Sequence, residues 1–280
     1  MPPAPARYGF TPEPARPWDF VVNGAGEDNS GLDRPSNHMA MAEQSRPRRC
    51  CKVVTVGHGE GGHSVRLDGR DVRTPARRPL ALPSRALAQA VAREWKRQDG
   101  AIDYAHMPLT RLANTALDHL SVDAAPVIAE IVNYASSDLL CYRAGRPDEL
   151  ARRQGKAWDP VLNWAARALK IKLVTTVRIV HRPQNEASLR RLEERLRASD
   201  VFTLAGLHGA TIATGSAVIA LALGAGVLTP EKAWAIAHID ENWQKSYWGH
   251  DVRAQTRHAA RQAEFKAIAR LFALVGQEHD

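Results

Sequence analysis

The segment Asp240-Glu241-Asn242-Trp243-Gln244-Lys245-Ser246-Tyr247-Trp248-Gly249-His250-Asp251 is the most unusual of the chain, mixing acids, amides, aromatic rings and an imidazole. Adjacent carboxylates at Asp240 and Glu241 suggest general acid and base work, but neighbouring residues of a helix point about 100° apart and do not face one substrate. If one helix runs through the segment, Ala237, Glu241, Gln244 and Trp248 share a stripe, at spacings of four, three and four. A carboxylate and an amide then stand beside small and aromatic surface. One reading is a solvated helix face backed by a core tryptophan. The other is a polar anchor inside an apolar contact patch, where Glu241 meets a partner's cation or donor. A small-molecule enzyme using Asp240, Glu241 and His250 is a third.

Elsewhere the chemistry is thinner. Gly57-His58-Gly59-Glu60-Gly61-Gly62-His63 has the glycine content of a phosphate loop. A phosphate loop opens a helix, however, and here strand-like runs lie on both sides, so a hairpin link is expected. Eleven histidines occur without an HExxH or a tight His/Cys pairing, and no metal site or cofactor is expected, His58 and His63 included. No Gly-x-Ser-x-Gly elbow supports a nucleophile. Cys50, Cys51 and Cys141 lack CxxC spacing, and a bridge between the vicinal pair would be strained, so reduced thiols are expected.

The elements that position these residues follow from periodicity. Residues 1–48 mix Pro, Gly, Asn and charge with no apolar period, as in a poorly ordered extension; Met39 or Met41 could serve as a start. From 49 to 83 the pattern is that of strands. Val53, Val54 and Val56 precede the glycine run, Ser64 to Leu67 follow it, and Asp68-Gly69 suits a type I′ turn. From 84 to 280 it is helical. Ser84 caps a helix with Leu87, Val91 and Trp95 on one face, and Pro108 opens another with Leu109, Leu112 and Ala116. Ile128, Ile131 and Ala135 mark a third. Asp159-Pro160 reads as a cap and first-turn proline. Leu173 to Val180 suggests a short extended piece, and Leu189, Leu192 and Leu196 a further helix. One Ala-rich helix follows, ending near Gly224. Thr229-Pro230-Glu231 caps the next, and Ile268, Leu271, Phe272 and Val275 share a face of the last. The expected fold is α+β: a small N-terminal antiparallel β domain followed by a larger all-helical domain.

The 44% hydrophobic and 24% charged composition is that of a globular protein. A net charge of +8 is spread among acidic residues, and aromatic content of 6% is low for a base-stacking platform. Nucleic acid is therefore not the expected partner, although an RNA-binding module relying on Arg-rich surface is a lesser alternative. Leu204 to Leu228 is interrupted by Gly206, His208, Gly209, Thr214 and Gly215, leaving a run shorter than the ~20 apolar residues a membrane span needs. The N-terminus lacks a secretory apolar core, and its acids are unlike a mitochondrial presequence, which points to a bacterial cytoplasm.

Taken in order, several motifs resemble the family of ATP synthase F1 complex assembly factor 2. They are Val65-Arg66-Leu67-Asp68-Gly69-Arg70, Thr74-Pro75, Leu82-Pro83-Ser84, Glu94-Trp95, Met107-Pro108-Leu109-Thr110 and Asp138-Leu139-Leu140-Cys141-Tyr142-Arg143. Gln154, Trp158-Asp159-Pro160, Asp240-Glu241, Gln244 and Trp248-Gly249 complete the series, over about Lys52 to Val275. The resemblance implies a non-enzymatic chaperone that binds the free α subunit of F1-ATPase, without nucleotide hydrolysis, cofactor or membrane insertion. It is expected to be a monomer in the bacterial cytoplasm, or in the mitochondrial matrix of a eukaryote. The family's acidic position falls on Glu241 and its Glu-Trp pair on Glu94 and Trp95, so partner-binding residues are expected at Glu94, Trp95, Asp240, Glu241, Gln244, Trp248 and Gly249. Cys50-Cys51 departs from the aromatic residues usual in the family, and Val180-His181-Arg182 lacks a glycine usual near there.

Overall fold

The computed structural model describes residues 52–177, 181–248 and 252–276; the side chains of 247–248 and 252–255 are not among the described ones. The expectations for residues 1–48, for Cys50 and Cys51, for Val180 and for Gly249, His250 and Asp251 lie outside the described residues.

Strands β1 (Val54–Gly59) and β2 (Gly62–Leu67) form an antiparallel hairpin that pairs Val54 with Leu67 and Gly59 with Gly62. The glycine run is thus mostly strand, with only Glu60 and Gly61 left to turn. Gly62 has a mechanical reason: at φ 149° a Cβ there would lie 2.7 Å from the Leu82 carbonyl oxygen, where the His63 and Leu82 backbones exchange hydrogen bonds. Asp68 (φ 48°) and Gly69 (φ 82°) make the expected turn of two positive φ values into β3 (Arg70–Asp71). The Asp68 carboxylate also accepts from the backbone N–H groups of Lys52 and Val53, closing the hairpin's open end.

Helix α1 (Arg85–Lys96) packs Leu87, Ala88, Val91 and Trp95 into the core and contacts β1 and β2. Its cap Ser84 accepts from Leu87 N–H and donates to the Leu274 carbonyl, joining the start of the helical region to its last helix. Helix α2 (Pro108–Thr115) starts at Pro108, as its sequence suggests, and continues as a π turn over Ala116–Leu120. Helix α3 is Ala125–Ser136.

Two boundaries differ from expectation. Asp159-Pro160 does not start a helix: α4 spans Asp148–Trp164 with Pro160 inside it. Both Lys156 and Pro160 are exposed, so the carbonyl left without an N–H partner has water at hand, while buried Gln154, Trp158 and Val161 hold the helix on either side. The Ala-rich segment is likewise two helices, α5 (Glu186–Arg197) being followed by α6 (Val201–Thr214) and α7 (Ala217–Gly224). Gly215 takes the left-handed conformation at the end of α6, and Ser216 caps α7 through Ile219 N–H. Close packing explains Gly206, where a Cβ would meet the Phe272 ring at 2.7 Å. No helix among the described residues is long and apolar enough to cross a membrane.

The helical part also holds a short parallel pair, β4 (Tyr142–Arg143) with β5 (Thr176–Val177), of which β5 lies within the stretch expected to be extended and β4 lies outside every expected strand. Helix α8 (Pro230–Ala237), capped by Thr229, stops at His238. Helices α9 (Ile239–Trp248) and α10 (Val252–Val275) follow, the last burying Phe265, Ile268 and Leu271. The architecture is α+β, a three-stranded antiparallel sheet followed by a mostly helical region.

Buried Asp138 joins two parts of this region. Its carboxylate accepts from Leu140 N–H and, across the core, from Val218 N–H at the start of α7. Burial pushes its pKa up to about 6, against the opposing pull of Ser216 and of the Leu140, Val218 and Ala217 N–H groups. The native state therefore keeps a proton that the unfolded chain has released, and stability is lost as pH rises from about 4 through about 6, by ~3 kcal/mol. Urea denaturation across that range should show the decline, and Asp138→Asn, uncharged throughout, should flatten it; an equally steep profile in the variant would assign the decline to other groups.

Candidate partner-binding site

Three motifs far apart in sequence meet where α4 lies against α8 and α9. Trp158 is fully buried and donates its indole N–H to the Ile236 carbonyl at 2.8 Å. The Arg143 guanidinium stacks 5.2 Å above the Trp158 ring, donates to the Leu140 carbonyl and pairs with Asp159 at 2.7 Å. Gln154, also buried, accepts from Ala144 N–H and donates its amide to Asp240 at 2.7 Å. The amide therefore fixes the first turn of α9 against α4.

That anchoring separates the two adjacent acids. Asp240 turns inward to Gln154, while Glu241 turns outward with its carboxylate 46% exposed, 3.8 Å from Lys245 and 3.6 Å from Arg261. Such loose, solvated pairs hold a carboxylate weakly. Gln244 is exposed as well, and half-buried Trp243 receives the Arg153 guanidinium 4.9 Å from its ring. The exposed side of α9 thus carries an acid and an amide, while Trp243, about 160° round the helix from Glu241, meets Arg153 of α4. Ala237 belongs to α8, across the break at His238, so the expected stripe is continuous only from Glu241 onward. Trp248 ends α9; its side chain, and Gly249 and His250, fall outside what is described.

Glu94 and Trp95 are both buried, at 7% and 6% exposure, and offer little surface to a partner. Met107, the residue before α2, has no capping side chain, and Glu94 supplies the missing acceptor from α1. Its two oxygens take Leu109 N–H at 2.9 Å, Thr110 N–H at 2.8 Å and the Thr110 hydroxyl at 2.7 Å. Burial raises the Glu94 pKa, and these same hydrogen bonds oppose the shift. Glu94 thus caps the start of a helix, and Trp95 beside it packs into the core.

Sequence reasoning missed a group beside Glu241. His238 packs on Trp234 with ring centroids 3.9 Å apart, and His258 of α10 stands edge-on to the same indole at 5.2 Å. Burial lowers the pKa of both imidazoles. His238 and Glu241 are three residues apart across a helix break and His258 lies on another helix, so no local motif announces them. Farther along α10, a groove of about 270 Å³ opens between α2, α6 and α10, lined by Leu112, Ile212 and Phe265, with Arg111 and Glu264 paired within it.

Comparison with known proteins adds four matches. A family model described as ATP12 chaperone protein matches residues 48–166. The mitochondrial protein atp12 of Schizosaccharomyces pombe is 21% identical over 214 residues, covering 72% of this chain and 74% of its own length. Among solved structures, Atp12 from Paracoccus denitrificans is 37% identical with a TM-score of 0.77, over 81% of this chain and 98% of that one. The Atu1473 protein from Agrobacterium tumefaciens is 40% identical with a TM-score of 0.78, over 86% and 92% respectively.

Proposed function

The chain belongs to the ATP12 chaperone family, and from that premise we propose that it binds the unassembled α subunit of F1-ATPase, keeps it from aggregating and supports assembly of the ATP synthase catalytic head. It does so without catalysis or nucleotide turnover, in the bacterial cytoplasm. The observation that carries the reading is family membership, with 37% identity maintained over 81% of the chain. The physical rationale is that a free subunit exposes apolar surface meant for its neighbours and aggregates unless a partner covers it. Coverage has to be reversible, which suits a patch of mixed polarity better than a wholly apolar one. On the exposed side of α9, Glu241 and Gln244 supply the polar anchors of such a patch, and Trp248 and Gly249 follow them in sequence. Asp240 contributes by orienting the helix through Gln154.

Light scattering of aggregating F1 α subunit, with and without the chain and with and without ATP, tests the reading. Suppression independent of ATP is expected. Failure to suppress, or hydrolysis of ATP by the chain alone, would overturn it. Glu241→Lys tests the patch. The carboxylate is half exposed and its ion pairs are long, so the variant should melt within a few degrees of the parent. Reversal of charge at an anchor should nevertheless weaken α-subunit binding by at least about tenfold. Normal binding by the folded variant would move the interface to another face.

A further inference from the structure

We propose that His238, Glu241 and His258 form a binding site for a first-row divalent cation, with Zn2+ the best fit. Their ligand atoms all lie within 4.8 Å of one another, the only such group of three among the described residues. Tetrahedral Zn2+, with bonds of about 2.0–2.2 Å, spaces its ligands roughly 3.4 Å apart, so side-chain rotations of about 1 Å close the site. The three residues come from the α8–α9 break, the first turn of α9 and the second turn of α10, and packing already places both rings. Trp234 lies against His238 and His258, whose own centroids are 5.4 Å apart.

Two polar details favour a metal over a chance cluster. His238 Nδ1 is 2.8 Å from the Trp234 carbonyl, and donating there leaves the Nε2 lone pair for a cation, the outer-shell arrangement usual for metal-bound histidine. His258 Nε2 is buried and has no hydrogen-bond partner, and a bond to a cation would satisfy it. Glu241 is the ligand that must turn toward the ion, and its contacts to Lys245 and Arg261 are long. Those two cations oppose the incoming charge, which sets the expected affinity below that of a closed structural site. Two imidazoles and a carboxylate suit Zn2+ or Co2+ and not Mg2+ or Ca2+, which prefer oxygen alone. Three protein ligands leave a fourth position for water.

Calorimetric titration of ZnSO4 into the untagged, EDTA-treated full chain tests this with metal alone, independently of any client. The expected result is one saturable site per chain, no heat with MgSO4, and a visible Co2+ spectrum with the intensity of four-coordinate geometry. His258→Ala and Glu241→Gln should each weaken Zn2+ binding by at least about tenfold, the smallest loss seen even for outer-shell changes. The paired His58→Ala/His63→Ala variant, altering the other close pair of imidazoles, should bind as the parent does. Melting curves without metal establish that each variant folds, and half-exposed Glu241→Gln carries the test alone if His258→Ala does not. Absence of saturable heat from the parent overturns the proposal. So does Zn2+ binding unchanged in Glu241→Gln, or lost only in the His58/His63 variant.

Discussion

Trp158→Ala should melt ~10–20 °C below the parent chain. Truncating a buried tryptophan removes its transfer energy and leaves a void, together costing ~3–5 kcal/mol, and Trp158 is fully buried. Two further losses add to this. The Ile236 carbonyl loses its indole donor, and the Arg143 guanidinium loses the ring beneath it. At about 2–4 °C per kcal/mol for a chain approaching this size, the shift in melting midpoint follows. Trp158→Phe keeps most of the volume and gives up the N–H, so about 1–3 kcal/mol is expected. Circular dichroism melts of both variants check the ordering. An alanine variant within a few degrees of the parent would mean that α4 is not fastened to α8 through this residue.

Glu94→Ala should destabilise the chain by ~3–5 kcal/mol, although the side chain removed is a carboxylate. Its loss strands the N–H groups of Leu109 and Thr110 at the buried start of α2, and each unsatisfied buried donor costs ~1–3 kcal/mol. The Thr110 hydroxyl loses its acceptor too. Removing the anion also forfeits its favourable position at a helix N-terminus. Glu94→Gln retains one acceptor oxygen and should cost about half as much. Urea denaturation of the two variants, with hydrogen exchange at Leu109 and Thr110, provides the readout. Parent-like stability in Glu94→Ala would remove the carboxylate as the cap of α2. A glutamine variant as unstable as the alanine one would place the effect in charge and not in hydrogen bonding.

The pair Glu94-Trp95 shows how a motif can be legible while its role is not. The four-residue spacing of Leu87, Val91 and Trp95 marks the tryptophan as packed. Nothing local says that Glu94, next to it, reaches Leu109 and Thr110. The same holds for Gln154 and Asp240, whose contact joins residues 86 apart in the chain, and for Asp138, which caps a helix 80 residues away.

By itself the sequence determined the α+β class, the order of most elements and the family resemblance, because those rest on local chemistry. Asp68-Gly69 tolerates positive φ, Ser84 and Thr229 offer capping oxygens, Pro108 has no N–H to lose in a first turn, and apolar residues at helical spacing need a core. Each such feature acts within a few residues of its position. Tertiary structure decided the rest wherever distant groups competed with a local signal. Asp159-Pro160 looks like a helix start, yet buried Trp158 and Gln154 carry the helix through it. Gly215-Ser216 breaks a run that hydrophobicity alone makes continuous. At α9 the adjacent acids have equal intrinsic chemistry, and only the amide of Gln154 makes one a positioning group and leaves the other facing solvent. The gathering of His238 and His258 around Trp234 beside Glu241 depends on where α10 returns, a matter of packing that no spacing along the chain encodes.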